Sequence, residues 1–209
     1  MDLNRRVKNR IEKYQPKGGL DQTAKIIFAI TGINHLPVQE HCARVALLSE
    51  AIAKELKKDE LAAFFGGLLH DVGKITQPHD FFDGHNISQE EYEEVKKHAL
   101  AGFEILKESH LFVALCAGLH HGMYYKGYGL TIKDFPKDWH MGTVKKILEL
   151  SAIVGICDFV DAFTHRTTKL KDGSDQKAPD LKGMLCAKYP DDIHIIDIAL
   201  KKNKELGFV

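Results

Sequence analysis

Several histidines and aspartates of this chain stand in apolar surroundings, where such groups are expensive. The clearest case is His70-Asp71, in Leu68-Leu69-His70-Asp71-Val72-Gly73-Lys74 at the end of an apolar stretch. Burying an adjacent imidazole and carboxylate costs several kcal/mol unless something neutralises them. A divalent cation does so, because both groups are good ligands for first-row transition metals. Further candidates occupy separate segments: His41 upstream, then His98, His120-His121 and Asp158 downstream. Asp158 lies inside Gly155-Ile156-Cys157-Asp158-Phe159-Val160-Asp161-Ala162, where an unpartnered carboxylate would be costly. Asp161, three residues on and near the same helix face, suits a hydrogen-bond partner better than a ligand. If these segments converge, they offer one carboxylate–histidine metal centre.

The elements that would position them are helices. Apolar residues recur at helical spacing over Leu20–Thr31 and from Pro37 to about Lys57, with Val45, Leu48, Ile52 and Leu56 on one stripe. Asp59 can cap a helix that carries Leu61, Phe64, Phe65, Leu68 and Leu69 up to the His-Asp pair. Ser88-Gln89-Glu90-Glu91 is a capping-box signature for a helix that would hold His98 and end near Lys107. His110–Gly122 and Val144 to about Thr164 predict two more helices, the second containing Asp158. Pro78–Asn86, Gly127–Asp138 and Lys169–Gln176 predict loops or linkers. Pro190 opens a last amphipathic helix with Ile193, Ile196, Ile198 and Leu200 inward. No β-rich segment stands out, so an all-α fold follows.

At 209 residues, a single domain with a large core is the default. Lys+Arg and Asp+Glu balance at 29 each, so no strong field draws in nucleic acid or a membrane surface. No apolar run is long enough to span a bilayer, and Met1–Arg10 lacks the apolar core of a secretory signal. The four cysteines, Cys42, Cys116, Cys157 and Cys186, form no CxxC pair and suit small core residues in a reducing compartment. A cytoplasmic protein is expected. The first 34 residues are expected to form a helical extension packed on a unit spanning 35–209. They are too few for a sensory domain.

The order His…His-Asp…Asp resembles the HD-domain metal-dependent phosphohydrolases, and the fuller set is similar to their HD-GYP branch. His70-Asp71-Val72-Gly73-Lys74-Ile75 resembles that branch's HDxGK(I) motif. His98-Ala99-Leu100-Ala101-Gly102 with Ile105-Leu106 resembles HPxxG…IL. His120-His121 followed by Gly127-Tyr128-Gly129-Leu130 resembles HHExxDGxGYPxGL, and Ile153–Thr164 resembles the ADxFDALT helix. Arg166 and Lys169 match that helix's trailing basic pair. The chain departs from the pattern: the basic pair after Thr164 is one residue closer, Pro37 stands where some members carry a third-metal Glu, and the loop after the double histidine is altered. Gly122 replaces the acid after the double histidine, Tyr125-Lys126 replace DG, Gly129 replaces the proline of GYP, and the loop is one residue shorter.

The resemblance implies an all-α HD-domain helical bundle with a buried binuclear metal site. Its two divalent transition-metal ions would be Fe, Mn, Ni, Co or Zn. His41, His70 and Asp158 would hold one ion and His98, His120 and His121 the other, with Asp71 bridging. Asp71 and Lys74 are the expected catalytic residues. Lys74, Arg166, Lys169 and Tyr128 are the expected substrate contacts. The expected reaction is hydrolysis of a phosphate ester by a metal-bridging hydroxide. Its substrate would be a nucleotide, a cyclic nucleotide or a small phosphorylated metabolite. Three alternatives stay open at this stage: a cyclic di-GMP phosphodiesterase, a di-iron oxygenase of the same superfamily, and a non-catalytic nucleotide-binding module. The altered loop favours a smaller phosphate ester over cyclic di-GMP. Oligomeric state is left open, a homodimer among the options.

Overall fold

The computed structural model describes residues 2–84, 86–122, 127–166 and 180–208. These residues form helices and no strand. In chain order the α-helices are α1 (Leu3–Tyr14), α2 (Leu20–Asn34), α3 (Leu36–Glu55), α4 (Glu60–Leu69), α5 (Gln89–Lys96), α6 (His98–Leu106), α7 (Leu111–Leu119), α8 (Met141–Arg166), α9 (Leu181–Lys188) and α10 (Ile193–Glu205). Short 3₁₀ turns lie at Val72–Thr76, His79–Phe82 and Ile132–Asp134.

Local chemistry explains most of the boundaries. Pro37 sits in the first turn of α3, where its missing N–H costs nothing. The Asp59 carboxylate accepts from the Ala62 N–H at 3.0 Å and caps α4. Ser88 and Glu91 close a reciprocal capping box on α5.

The core lies where α3, α4 and α8 meet, and α7 and α10 pack onto them. Leu48, Ile52, Phe64, Phe65, Leu69, Ile153 and Val154 are fully or almost fully buried there. Each is worth about 1.5–3 kcal/mol of hydrophobic transfer. Cys42, Cys116 and Cys157 are buried in this core, Cys186 is half-buried, and all four are free thiols.

The N-terminal helices rest on α3. Val7 and Ile11 of α1 are fully buried. The Glu50 carboxylate of α3, itself buried, accepts hydrogen bonds from Tyr14 Oη and from Arg10 Nε, the latter at 2.8 Å. Tyr14→Phe removes one partner from a buried carboxylate. It is expected to lower the unfolding free energy by about 1–3 kcal/mol in urea titration. A change below a few tenths of a kcal/mol would show that water replaces the phenol.

Two expectations need correction, and one helix is added. The helix from the capping box through His98 is two helices, α5 and α6, broken at Lys97. Leu181–Lys188 forms α9, which the apolar pattern does not announce. In α10 Ile196 is fully buried and Ile198 and Leu200 pack against the core, but Ile193 is 48 % exposed, and Ile195, Ala199 and Asn203 are the other buried residues. Ile193 stands in the first turn of α10, at the edge of the face that 195, 199 and 203 bury. The segment Lys169–Gln176 lies outside the described residues, as do Tyr124, Tyr125 and Lys126.

Candidate metal centre

Five helices deliver the ligand candidates to one buried point. His41 projects from the second turn of α3, and Asp158 from the middle of α8. The other histidines sit at helix ends. His70 ends α4, His98 begins α6 and His120 ends α7. The ends matter because the last carbonyls of a helix lack intrahelical partners. His70 Nδ1 meets the Gly67 carbonyl at 2.8 Å, His98 Nδ1 the Val95 carbonyl at 2.6 Å, and His120 Nδ1 the Ala117 carbonyl at 2.7 Å. A carbonyl only accepts, so each Nδ1 carries the proton and each Nε2 presents a lone pair. The break at Lys97 is therefore functional geometry: it places His98 at a helix start with a last-turn carbonyl of α5 behind it.

The Nε2 atoms converge on two carboxylates. Asp71 Oδ2 lies 3.5 Å from His41 Nε2 and 3.4 Å from His70 Nε2. Asp71 Oδ1 lies 3.1 Å from His98 Nε2 and 3.9 Å from His120 Nε2. Asp158 divides in the same way. Its Oδ1 is 3.1 Å from His41 Nε2 and 3.9 Å from His70 Nε2, and its Oδ2 is 3.8 Å from His121 Nε2. Two groups result, His41/His70/Asp71 and His98/His120/His121, each compact enough to hold one cation. His70, Asp71, His98 and His120 are at most 1 % exposed. His41 Nε2, His70 Nε2 and Asp71 Oδ1 are buried without a well-aligned hydrogen bond. Buried polar atoms are almost always satisfied, so these atoms suit cation ligands.

Electrostatics agree with that reading. Burial pushes His120 well below the usual imidazole range, and His121, His70 and His98 push the same way. Burial also pushes His121 down to about 3, with the His98 charge adding to it and Asp158 opposing. Both rings are therefore neutral at physiological pH, the form that ligates metal. Burial opposes ionisation of Asp71, yet His70, Lys74 and His98 outweigh it and hold the carboxyl well below its normal range. Asp158 is held down likewise, against burial, by His41, His121 and His70.

Gly73 shows how the pair is locked in place. A Cβ there would stand 2.0 Å from the His98 carbonyl oxygen and 2.7 Å from the Gly102 amide nitrogen. The 3₁₀ turn after Asp71 thus packs backbone to backbone on α6, fixing Asp71 relative to His98. Gly122 is constrained too. A Cβ there would meet the Leu130 carbonyl oxygen at 1.7 Å, and the Leu130 N–H donates to the Gly118 carbonyl at 2.8 Å. The strap 127–130 folds back over the end of α7, leaving no room for an acidic side chain at 122. Gly129 takes φ +93° in that strap, which proline cannot adopt.

Lys74 is buried, and its Nζ contacts Asp71 Oδ2 and lies 5.6 Å above the Phe82 ring. The half-buried Tyr128 ring lies 4.3 Å from the His121 ring and 5.9 Å from that of His98. Arg166 is the last residue of α8, and Lys169 lies outside the described residues. The sequence reading overlooked Arg44. Its Nε and a terminal nitrogen contact the Asp161 carboxylate at 2.6 and 3.0 Å, and Asp161 in turn meets His41 Nδ1 at 2.8 Å. The available signal was position: Arg44 lies three residues after His41, nearly on the same helix face.

Comparison with known proteins settles the family. The profile of the family described as HD domain matches residues 38–163, which is more than half of the chain. This chain belongs to the HD domain family. The matched span carries all seven ligand candidates of the HD domain, from His41 to Asp158. A curated relative, the cyclic di-GMP phosphodiesterase of Thermotoga maritima, is 28% identical over 155 residues, covering 70% of this chain. The chain spans about 40% of that relative's length. The crystal structure of the L. monocytogenes phosphodiesterase PgpH HD domain is similar in fold, with a TM-score of 0.57 at 19% identity. That match covers 86% of this chain and 98% of the other. The same PgpH domain in complex with cyclic-di-AMP gives a TM-score of 0.56. HD domains bind divalent metals, and the two His/Asp groups here are suited to hold them.

Proposed function

We propose that this HD domain hydrolyses a phosphate ester, with a cyclic nucleotide as the favoured substrate class, using two divalent transition metals. The observation that carries the reading is the division of Asp71. One oxygen faces His41 and His70, and the other faces His98 and His120. When bound, divalent ions at such a centre acidify water and neutralise charge on phosphoryl oxygens.

The chain's own residues do the rest. His41, His70 and Asp158 are assigned to one ion, His98, His120 and His121 to the other, and Asp71 to both. Lys74 brings a cation to the edge of Asp71 and is assigned to the substrate phosphate. Tyr128 offers a ring for a base to stack on, and Arg166 and Lys169 are assigned to the substrate phosphate. The names of the relatives support a cyclic nucleotide, one acting on cyclic di-GMP and another binding cyclic-di-AMP. The strap 127–130, packed against Gly122, supports a substrate surface unlike that of the HD-GYP pattern. No helix among the described residues is long and apolar enough to cross a membrane.

The test is a substrate panel on metal-loaded protein: cyclic di-GMP, cyclic di-AMP, cyclic mononucleotides, mononucleotides and sugar phosphates. The expected result is measurable turnover of a cyclic nucleotide, with a smaller member of the panel giving a higher kcat/KM than cyclic di-GMP. Lys74→Ala should lower kcat by about 10²-fold through loss of one fixed charge at the developing phosphorane. No turnover across the panel with any of the five metals would overturn the reading.

A further inference from the structure

The histidines of the metal centre are not held alike. Three of them, His70, His98 and His120, donate from Nδ1 to neutral backbone carbonyls. His41 instead places its Nδ1 2.8 Å from the carboxylate of Asp161. Asp161 is 1 % exposed and is gripped by Arg44, whose Nε and terminal nitrogen lie 2.6 and 3.0 Å from its two oxygens. Asp161 lies one turn after Asp158 on α8, and Arg44 one turn after His41 on α3. The two helices therefore present a ligand pair and its support in parallel rows.

We infer that the two metal positions are unequal, with the His41 side filling first, and that Asp161 and Arg44 are the positioning residues that make it so. An imidazole donating Nδ1–H to a carboxylate is a better electron donor at Nε2 than one donating to a carbonyl, and its ring is held more firmly. The His41 side is also richer in anionic oxygen. Asp158 Oδ1 lies 3.1 Å from His41 Nε2, whereas Oδ2 stays 3.8 Å from His121 Nε2. Three imidazoles make up the other group. Lys74 works against this order, since its Nζ shares Asp71 Oδ2. It competes for one oxygen only, and leaves Asp158 and the Asp161–His41 contact untouched. The His98/His120/His121 position, with Asp71 Oδ1 as its nearest carboxylate oxygen, is then the exchangeable one, and its occupancy is how metal supply would regulate the enzyme. This rests on the two-metal reading above.

The experiment is titration of the full chain, stripped of metal by dialysis, with Mn²⁺ followed by calorimetry. Two steps of one ion each are expected, separated by about 10-fold or more in affinity. Asp161→Asn should weaken the tighter step by about 10–100-fold and leave the weaker step in place. His98→Ala should remove only the weaker step. Arg44→Gln, which leaves Asp161 without its cation, serves if Asp161→Asn does not fold, and should weaken the tighter step alone. Loss of fold integrity without a binding role would move both steps together, and that outcome overturns the inference. A single step of two equal ions also overturns it while leaving the two-metal reading intact. A total of one ion overturns both.

Discussion

Asp71→Ala is expected to abolish phosphodiester turnover, a loss of more than about 10³-fold, because the carboxylate faces both groups of ligands. Removing one preorganised electrostatic group costs about 10²–10³-fold, and this substitution removes the proposed shared ligand of two positions. It also strands the four imidazoles and Lys74 that converge on Asp71. Asp71→Asn keeps the volume and loses the charge, so it separates ligation from packing. It should be folded, metal-poor and inactive, with inductively coupled plasma analysis giving the metal content. Turnover within 10-fold of wild type in either variant, checked on two independent preparations, would mean that Asp71 is not the shared ligand.

Gly73→Ala is expected to be strongly disruptive. The added Cβ would meet main-chain atoms, the His98 oxygen at 2.0 Å and the Gly102 nitrogen at 2.7 Å, and main chain cannot rotate away as a side chain can. Overpacking of this kind costs about 1–3 kcal/mol and more where backbone must shift. A loss of about 3 kcal/mol in urea unfolding is expected. The shift should also part α6 from the turn after Asp71, carrying His98 away and emptying the His98/His120/His121 position. Gly102→Ala is the control. Its Cβ would come nearest to side chains, Ala117 Cβ at 3.2 Å and Val72 Cγ1 at 3.3 Å, with main chain no closer than the Gly73 nitrogen at 3.5 Å, so a smaller loss follows. Equal stability of Gly73→Ala and wild type would contradict the close packing.

What the sequence makes legible here is whatever carries an energetic penalty. A His-Asp pair at the end of an apolar helix and an aspartate inside another are costly, so they mark themselves. All seven candidates lie near one another in the structure. Helix starts with capping chemistry, at Asp59 and Ser88, are equally plain. The break at Lys97 is not legible, because lysine is a good helix former and nothing local stops the helix. Packing of the 3₁₀ turn on α6 imposes it. Nor is α9 legible, since Leu181–Lys188 is short and carries Gly183. Arg44 is missed because a lone arginine on a helix normally faces solvent, and its partner Asp161 lies 117 residues away. The loss of the acid at position 122 is legible as a departure, but its cause is the strap carbonyl of Leu130, which only three dimensions reveal.

The central claim is that Asp71 joins two cations at one buried centre. An anomalous-difference map from crystals of the metal-loaded protein, collected at the absorption edge of the loaded metal, addresses it most directly. Two peaks are expected, one beside Asp71 Oδ2 among His41, His70 and Asp158, the other beside Oδ1 among His98, His120 and His121. A single peak, with His98 and His120 turned away from it, would contradict the account.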